Sequence, residues 1–350
     1  MPPADALPAP YADLTPGSVL DALDAVGFRG DGRLIQLNSY ENRVFQVFLE
    51  SGAVVVAKFY RPARWSDAQI LEEHAFAAEL VRHEIPVAAP LPLALDPHSP
   101  HAAHVAEAGE TLACFTTQTG GAYRFGVAER KAGRAPELED PEVLRWLGRF
   151  IGRMHAVGAL APFVHRIALD VDTYGEASRD YLLGHRLVTD DVAERWAGLA
   201  AQALAACRSA LESVVPRRLR LHGDCHPGNV LWTAAGPHFV DLDDAVTGPA
   251  MQDLWMLLSG DRAARTRQLF DVLEGYEAFA TFDPRELRLI EPLRTLRMLH
   301  HSAWIARRWS DPTFPINFPW FASPAYWADQ CTRLAEQLEA MAEPPLGGPA

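Results

Sequence analysis

The sequence predicts an α+β chain in two lobes, the first rich in β-strands and the second mainly helical. Three features predict it: paired extended apolar runs near residue 50, helical periodicity from about residue 140, and a polar cluster at 221–244 between short apolar runs. A chain of 350 residues is long for one core and comfortable for two lobes. With 49% apolar and 22% charged residues it has the composition of a folded protein.

The N-terminal lobe is expected over residues 1–118. Residues 1–15 read as a loose Pro/Ala arm, with no basic start and apolar core to suggest a secretory signal. "RVFQVFL" and "AVVVAKFY", joined by "ESG", signal a hairpin. Ser66 with Gln69 three residues on is a capping-box pattern, so a helix starts there and stops before Pro86. "APLPLAL" and "TLACFTTQ" are further strand candidates, and "DPHSPHAAHVAEAGE" between them reads as a surface turn.

The helical lobe is expected over 119–350. In "DPEVLRWLGRFIGRMHAVG" Asp140 is the N-cap and Pro141 the first helical position, while Val143, Leu147, Ile151 and Met154 form one stripe. Helical patterns recur in "DDVAERWAGLAAQALAACRSALESV", "AMQDLWMLLSG", "RTRQLFDVLEGYEAFA", "RELRLIEPLRTLRMLHHSAWIARRW" and "YWADQCTRLAEQLEAMA". "VLW" and "HFVDL" interrupt them as a small hairpin.

Charge and cysteine usage exclude several functions. A net charge of -13 opposes general nucleic-acid binding, and the basic run "RRLR" is too short to reverse that. The most apolar windows are broken by polar residues well short of membrane-spanning length. Four scattered cysteines suit reduced thiols, so a cytoplasmic protein is expected.

The chemistry concentrates in "LHGDCHPGNVLW" and, shortly after, "VDLDDAVTG". Magnesium-assisted phosphoryl transfer needs an acid that orients the acceptor hydroxyl and takes its proton, and hard oxygen ligands for the metal. Asp224 and Asn229, five residues apart in one loop, have the spacing that protein kinases use for these roles, and Asp241 arrives on a strand to complete the metal site. His222 reads as a brace for the loop, Cys225 as a small filler, and Asp243 and Asp244 as supporting or capping groups. Asp253 either caps its helix or supports the loop.

Two other chemistries use the same letters. His222, Cys225 and His226 could ligate zinc, but no second Cys/His pair stands at metal spacing. A haloacid dehalogenase-like phosphatase could use Asp241 as nucleophile and Asp243 as acid, but it needs several parallel strands after that point, where this chain reads as helices.

Lys58 shares a strand face with Val54, Val56 and Tyr60, and a lysine there needs a fixed anion. Glu73 is preferred to Glu72 as its partner, on the kinase pattern of a strand lysine paired with a glutamate of the next helix. Neither "GxGxxG" nor "GxxxxGK[ST]" occurs. In their place "LNSYENR" offers Asn38, Ser39 and Asn42, turn-formers able to reach phosphate oxygens.

As a set, "LHGDCHPGN", "FVDLDD", the strand lysine and "WLGRFIGRMH" resemble the aminoglycoside phosphotransferase and choline kinase superfamily, a branch of the protein-kinase-like fold. "LNSYENRVFQ", "AKFYRPARW", "ILEEHAFAAELV", "IPVAAP", "VDLDDAVTGPAMQDLWMLLSGD", "IEPLRTLRM" and "FPINFPWF" are similar to the bacterial stress response kinase A family, which phosphorylates Ser and Thr in proteins. The resemblance implies a two-lobed fold of the aminoglycoside phosphotransferase type and an ATP-dependent Ser/Thr protein kinase using Mg2+. It implies Asp224 as catalytic base, Asn229 and Asp241 as magnesium ligands, Lys58 and Glu73 as the phosphate-holding pair and Ser39 as an ATP contact, with an adenine-holding hinge near Phe115 to Thr119. Expected partners are proteins with Ser/Thr acceptors, the protein itself being one to test. The alternative acceptor is a small alcohol such as an aminoglycoside, choline or homoserine, which would use the same base and metal ligands.

Overall fold

The structure is a computed structural model that describes residues 9–105 and 110–347. Its elements begin α1 (Pro16–Asp24), β1 (Gly30–Gln36), β2 (Arg43–Leu49), β3 (Val54–Phe59), α2 (Asp67–Arg82), β4 (Ala103–Val105), β5 (Ala113–Thr116) and β6 (Ala122–Glu129). There follow α3 (Pro141–Gly158), α4 (Ala177–Gly184), α5 (Ala193–Val214), β7 (Leu219–Leu221), β8 (Val230–Thr233), β9 (Gly236–Phe239) and β10 (Val246–Gly248). The chain ends with α6 (Met251–Trp255), α7 (Arg262–Tyr276), α8 (Ile290–Arg307), α9 (Thr313–Asn317) and α10 (Pro324–Ala342). It divides into two compact units, residues 1–134 with 231–243, and residues 135–230 with 244–350.

In the first unit six strands form an antiparallel sheet in the order β1-β2-β3-β6-β5-β4. The expected β2–β3 hairpin is present, with Val44 opposite Lys58. Val55, Ala57 and Phe59 point into a core shared with Phe45, Val47, Phe125 and Val127 of the sheet and Val19 and Leu23 of α1. Lys58 therefore lies on the other face, which is half-buried. A Cβ on Gly126, the β6 partner of Lys58, would stand 3.3 Å from His74 Cε1 of α2, so α2 covers that face. The helix starts as expected, with Ser66 and Gln69 in a reciprocal capping box.

Several expectations for this unit change. The run at 89–95 forms no strand, only an isolated bridge from Pro90 to Ala128, because Pro90 and Pro92 lack the N–H a ladder needs. The expected turn at 96–110 contains β4, whose partner is β5, and its residues 106–109 lie outside the described residues. Of the expected loose arm, residues 1–8 lie outside them also. The rest of the arm is anchored: Tyr11 is buried and stacks on Tyr123 with ring centroids 5.8 Å apart. The Asp13 carboxylate accepts from Thr119 at 2.6 Å, from the Gly121 amide at 3.1 Å, and from the hydroxyls of Thr117 and Tyr123.

That cluster fixes the turn between β5 and β6. The expected boundary at 118/119 falls in this turn, between strands that pair from Ala113↔Phe125 to Thr116↔Ala122. Phe115 to Thr119 is thus a hairpin segment rather than a connector, and the chain leaves the unit only after β6, at Arg134. The β8–β9 hairpin joins the same unit: Phe239 exchanges backbone bonds with Pro86 at 2.8 Å and Ala88 at 3.0 Å, and Trp232 with Arg134 at 2.7 and 3.0 Å.

The second unit is mainly helical, as expected. Asp140 caps α3 and Pro141 follows it. The α3 and α7 backbones touch, because a Cβ on Gly148 would strike the Val272 carbonyl and one on Gly275 the Arg145 carbonyl. In the 284–307 stretch a 3₁₀ turn, Pro284–Leu289, precedes α8, so the expected single helix starts later. The strands β7 and β10 pair antiparallel, with Leu221 opposite Val246, and from this short ladder the polar loop departs. Among the described residues no helix is long and apolar enough to cross a membrane.

Candidate active site

Gly223 opens the polar loop with φ +84°, and a Cβ there would collide with the Asp244 carbonyl, so the turn admits only glycine. Asp253, fully buried on α6, holds the turn from beneath: Oδ2 accepts the His222 amide at 2.8 Å and Oδ1 the Gly223 amide at 2.8 Å. His155 of α3 donates from Nε2 to Asp253 Oδ2 at 3.0 Å, and its Nδ1 is 3.0 Å from the Tyr276 hydroxyl. Gln252 donates to the Gly223 carbonyl at 2.9 Å. Of the two readings of Asp253, support of the loop is the one the contacts favour; the α6 N-cap is Ala250.

Beyond the turn stand Asp224 and Asn229. Asn229 donates from Nδ2 to the Asp224 carbonyl at 3.0 Å and more weakly to Oδ2 at 3.4 Å. Its amide oxygen is thereby left as the atom able to ligate a cation. Arg297 of α8 places Nη1 2.5 Å from Asp224 Oδ1, and His226 Nε2 is 3.5 Å from Oδ2. Burial opposes the charged Asp224 carboxylate, but His226 and Arg297 outweigh it and hold its pKa well below the usual carboxylate range. Asp224 is an anion at neutral pH, suited to orienting a hydroxyl. Cys225 is fully buried and burial raises its thiol pKa, which removes it as a thiolate nucleophile. Among the described residues no group of three His, Cys, Asp or Glu could hold a metal, so the zinc reading has no support.

The first unit carries the other half of the predicted set. Lys58 Nζ lies 2.8 Å from Asp241 Oδ1 and 3.3 Å from Asp243 Oδ1. Burial disfavours the Lys58 ammonium, yet Asp241 and Asp243 hold its pKa well above the ordinary value, with Tyr60 and buried Glu73 adding less. Glu73 is buried and Glu72 half-buried, which favours Glu73 as the helix carboxylate facing inward. Asp241 follows β9 with φ +62°, a left-handed conformation that Asp tolerates better than most residues. Asp241 is about half exposed and Asp243 almost fully buried. No parallel sheet surrounds Asp241, only the β8–β9 hairpin, so the phosphatase scaffold is absent among the described residues.

Two neighbours of Asp243 escaped the sequence reading in whole or part. Arg64 pairs with Asp243 Oδ2 and lies 3.6 Å from Glu41 Oε2. Asn42, expected to reach phosphate, is buried instead: Nδ2 donates to Asp243 at 3.1 Å and Oδ1 accepts the Arg61 amide at 3.0 Å. Ser39 is half-buried in the turn between β1 and β2. Arg64 and Asn42 therefore tie the turn before β2 to the segment after β9. His155, Arg297 and Arg64 each look like an ordinary stripe or surface residue in sequence; only the repeated Arg of "IEPLRTLRM" hinted at a polar function on α8.

A cavity of about 1010 Å³ lies against α1, β4 and β5 and is lined by none of Asp224, Asn229, Asp241, Asp243 or Lys58.

The phosphotransferase enzyme family model matches residues 33–290. The chain is 42% identical over 342 residues to "Stress response kinase A" of Escherichia coli, covering 96% of each protein. It is equally similar, at 42% and 96% of each, to "Serine/threonine protein kinase RdoA" of Salmonella typhimurium. Among solved structures, the amicoumacin kinase hAmiN in complex with AMP-PNP, Ca2+ and Ami aligns with a TM-score of 0.69 at 18% identity, covering 94% of each chain, a likeness of fold.

Proposed function

The chain belongs to the phosphotransferase enzyme family, and from that premise we propose that it is an ATP-dependent kinase that phosphorylates Ser and Thr hydroxyls of proteins in a bacterial stress response. The observation that carries the protein acceptor is the near full-length match to relatives bearing those names.

Asp224 takes the role of base: it accepts a hydrogen bond from the acceptor hydroxyl, whose oxygen attacks the γ-phosphorus as the bond to the β–γ bridging oxygen breaks. The proton passes to the carboxylate and ADP leaves. Lys58 takes the α- and β-phosphates, with Glu73 as its helix partner, and Ser39 contacts the nucleotide from the β1–β2 turn. The residues after β6, 130–134, replace Phe115 to Thr119 as the segment that meets adenine.

Asn229 and Asp241 suit Mg2+, because they offer an amide oxygen and an exposed carboxylate, and Mg2+ takes one or two protein oxygens with substrate phosphates and water. When bound, the ion would neutralise charge on the phosphoryl group. The buried Asp253–His155 pair keeps the loop rigid while this happens.

A small alcohol as acceptor is the second reading, raised by the amicoumacin and aminopropanol kinases among the solved structures that share the fold. Incubation with γ-labelled ATP and Mg2+, alone, with a basic protein and with a panel of small alcohols, separates the two. Label on protein that Asp224→Ala and Asp241→Ala both abolish supports the first. Label confined to an alcohol overturns the protein acceptor and keeps the kinase.

A further inference from the structure

The carboxylate of Asp224 has a charged or polar neighbour at each oxygen, a weak hydrogen bond at Oδ2 and an ion pair at Oδ1, and these neighbours differ in origin. Asn229 and His226, at 3.4 and 3.5 Å from Oδ2, belong to the same loop and move with it. Arg297, at 2.5 Å from Oδ1, comes from α8, whose Leu293, Leu296, Leu299 and Ala303 are buried in the second unit. It is the contact that ties the carboxylate to a packed helix outside the loop. A general base must keep its orientation to within about 10–20° of the productive one. Loop partners alone leave the whole assembly free to tilt.

We infer that Arg297 is a positioning residue that fixes the Asp224 carboxylate against α8 for phosphoryl transfer. The inference rests on the reading of Asp224 as the base. The guanidinium meets Oδ1 through Nη1 as an ion pair and not as an aligned hydrogen bond, so the constraint is one of charge and reach, which the shorter, freely rotating ammonium of a lysine reproduces only in part. Arg297 is itself 38% exposed, so its replacement leaves no large cavity.

The test compares Arg297→Ala and Arg297→Lys, each with Asp224 intact and with Asp224→Asn. Basal hydrolysis of MgATP, in which water stands in for the acceptor, and transfer of label to a basic protein are both followed. With Asp224 intact, Arg297→Ala is expected to lower kcat about a hundredfold, the scale of misplacing a catalytic group by roughly 1 Å. KM for ATP and the melting temperature stay within twofold and a few degrees of the parent, and Arg297→Lys recovers only part of the loss. Added methylguanidinium restores Arg297→Ala more than methylammonium does. In the Asp224→Asn background Arg297→Ala has no further effect.

Unchanged kcat in Arg297→Ala, or an equal loss in both backgrounds, overturns the inference. A loss that comes with weakened ATP binding or a lowered melting temperature does the same. Full activity in Asp224→Asn would instead remove the base assignment, a different failure seen in a different variant.

Discussion

His155 and Asp253, residues of two different helices, share a hydrogen bond of 3.0 Å with both side chains fully buried. Through Asp253 the pair also anchors the amides of His222 and Gly223, so a helix stripe histidine far upstream governs the loop that carries Asp224.

Replacing Asp253 by Asn keeps the shape but turns one oxygen into a donor facing an amide. Loss of about 1–3 kcal/mol of stability is expected, the scale for a buried polar group left unsatisfied. Phosphotransfer should fall more steeply than the melting temperature predicts, because the loop shifts before the fold fails. Denaturant melts beside initial rates check it; wild-type rates in a folded variant contradict the loop-anchoring role.

Gly223→Ala faces both a left-handed backbone and the Asp244 carbonyl. The backbone alone costs about 1–2 kcal/mol, and relief of the clash must displace the β7–β10 ladder or the loop. The expected outcome is a soluble protein with strongly reduced kcat. Ala at Gly198 of α5, where φ is ordinary and nothing lies within 4 Å of an added Cβ, serves as the control.

Arg64→Ala removes a partner of nearly fully buried Asp243 while Lys58 and Asn42 remain. Destabilisation of about 1–3 kcal/mol is expected, with a raised KM for ATP as the turn before β2 loosens. Lys58→Ala should leave the KM for ATP less altered than kcat and lower kcat by roughly 10²–10³, the scale of removing a preorganised charge from a reaction site. Steady-state kinetics with varied ATP distinguish these two patterns.

Glu286 gives the chain a pH-dependent stability. Its carboxyl is 2% exposed, accepts the Met251 amide at 3.0 Å, and has its pKa pushed up by burial from 4.5 to about 7. Between those values the folded state binds more protons than the unfolded one, so stability falls as the pH rises through that window. The full effect reaches about 3 kcal/mol. Glu286→Gln should flatten this part of the profile: urea midpoints at pH 5 and pH 8 would lie closer together than in the parent. Equal slopes for both proteins would contradict it.

The residues readable in sequence are those whose chemistry is packed into short spacings. Asp224, Asn229 and Asp241 fall within two adjacent stretches, and Lys58 stands out among valines. Arg64 and Arg297 are silent because their carboxylates lie far along the chain, at Asp243 and Asp224. The same limit governs the fold. Hairpins and capped helices announce themselves locally, whereas β6, whose Tyr123, Phe125 and Val127 enter the core, is broken in sequence by Gly126 and flanked by the turn-rich 117–121 segment. The anchoring of Tyr11 and Asp13 depends on partners more than a hundred residues away.

The hairpin β8–β9 belongs to the first unit although it is encoded more than a hundred residues after that unit's sheet ends. On a ribosome adding roughly 5–20 residues per second, this sets a delay on the order of 5–20 s during which the sheet exists without Phe239 against the 86–88 segment and without the carboxylates that neutralise Lys58. Sequential maturation of the two units is thus ruled out by the order of the chain. The N-terminal unit reaches its final form only after nearly half of the second has been synthesised, and a fragment ending at residue 134 would carry Lys58 without Asp241 and Asp243.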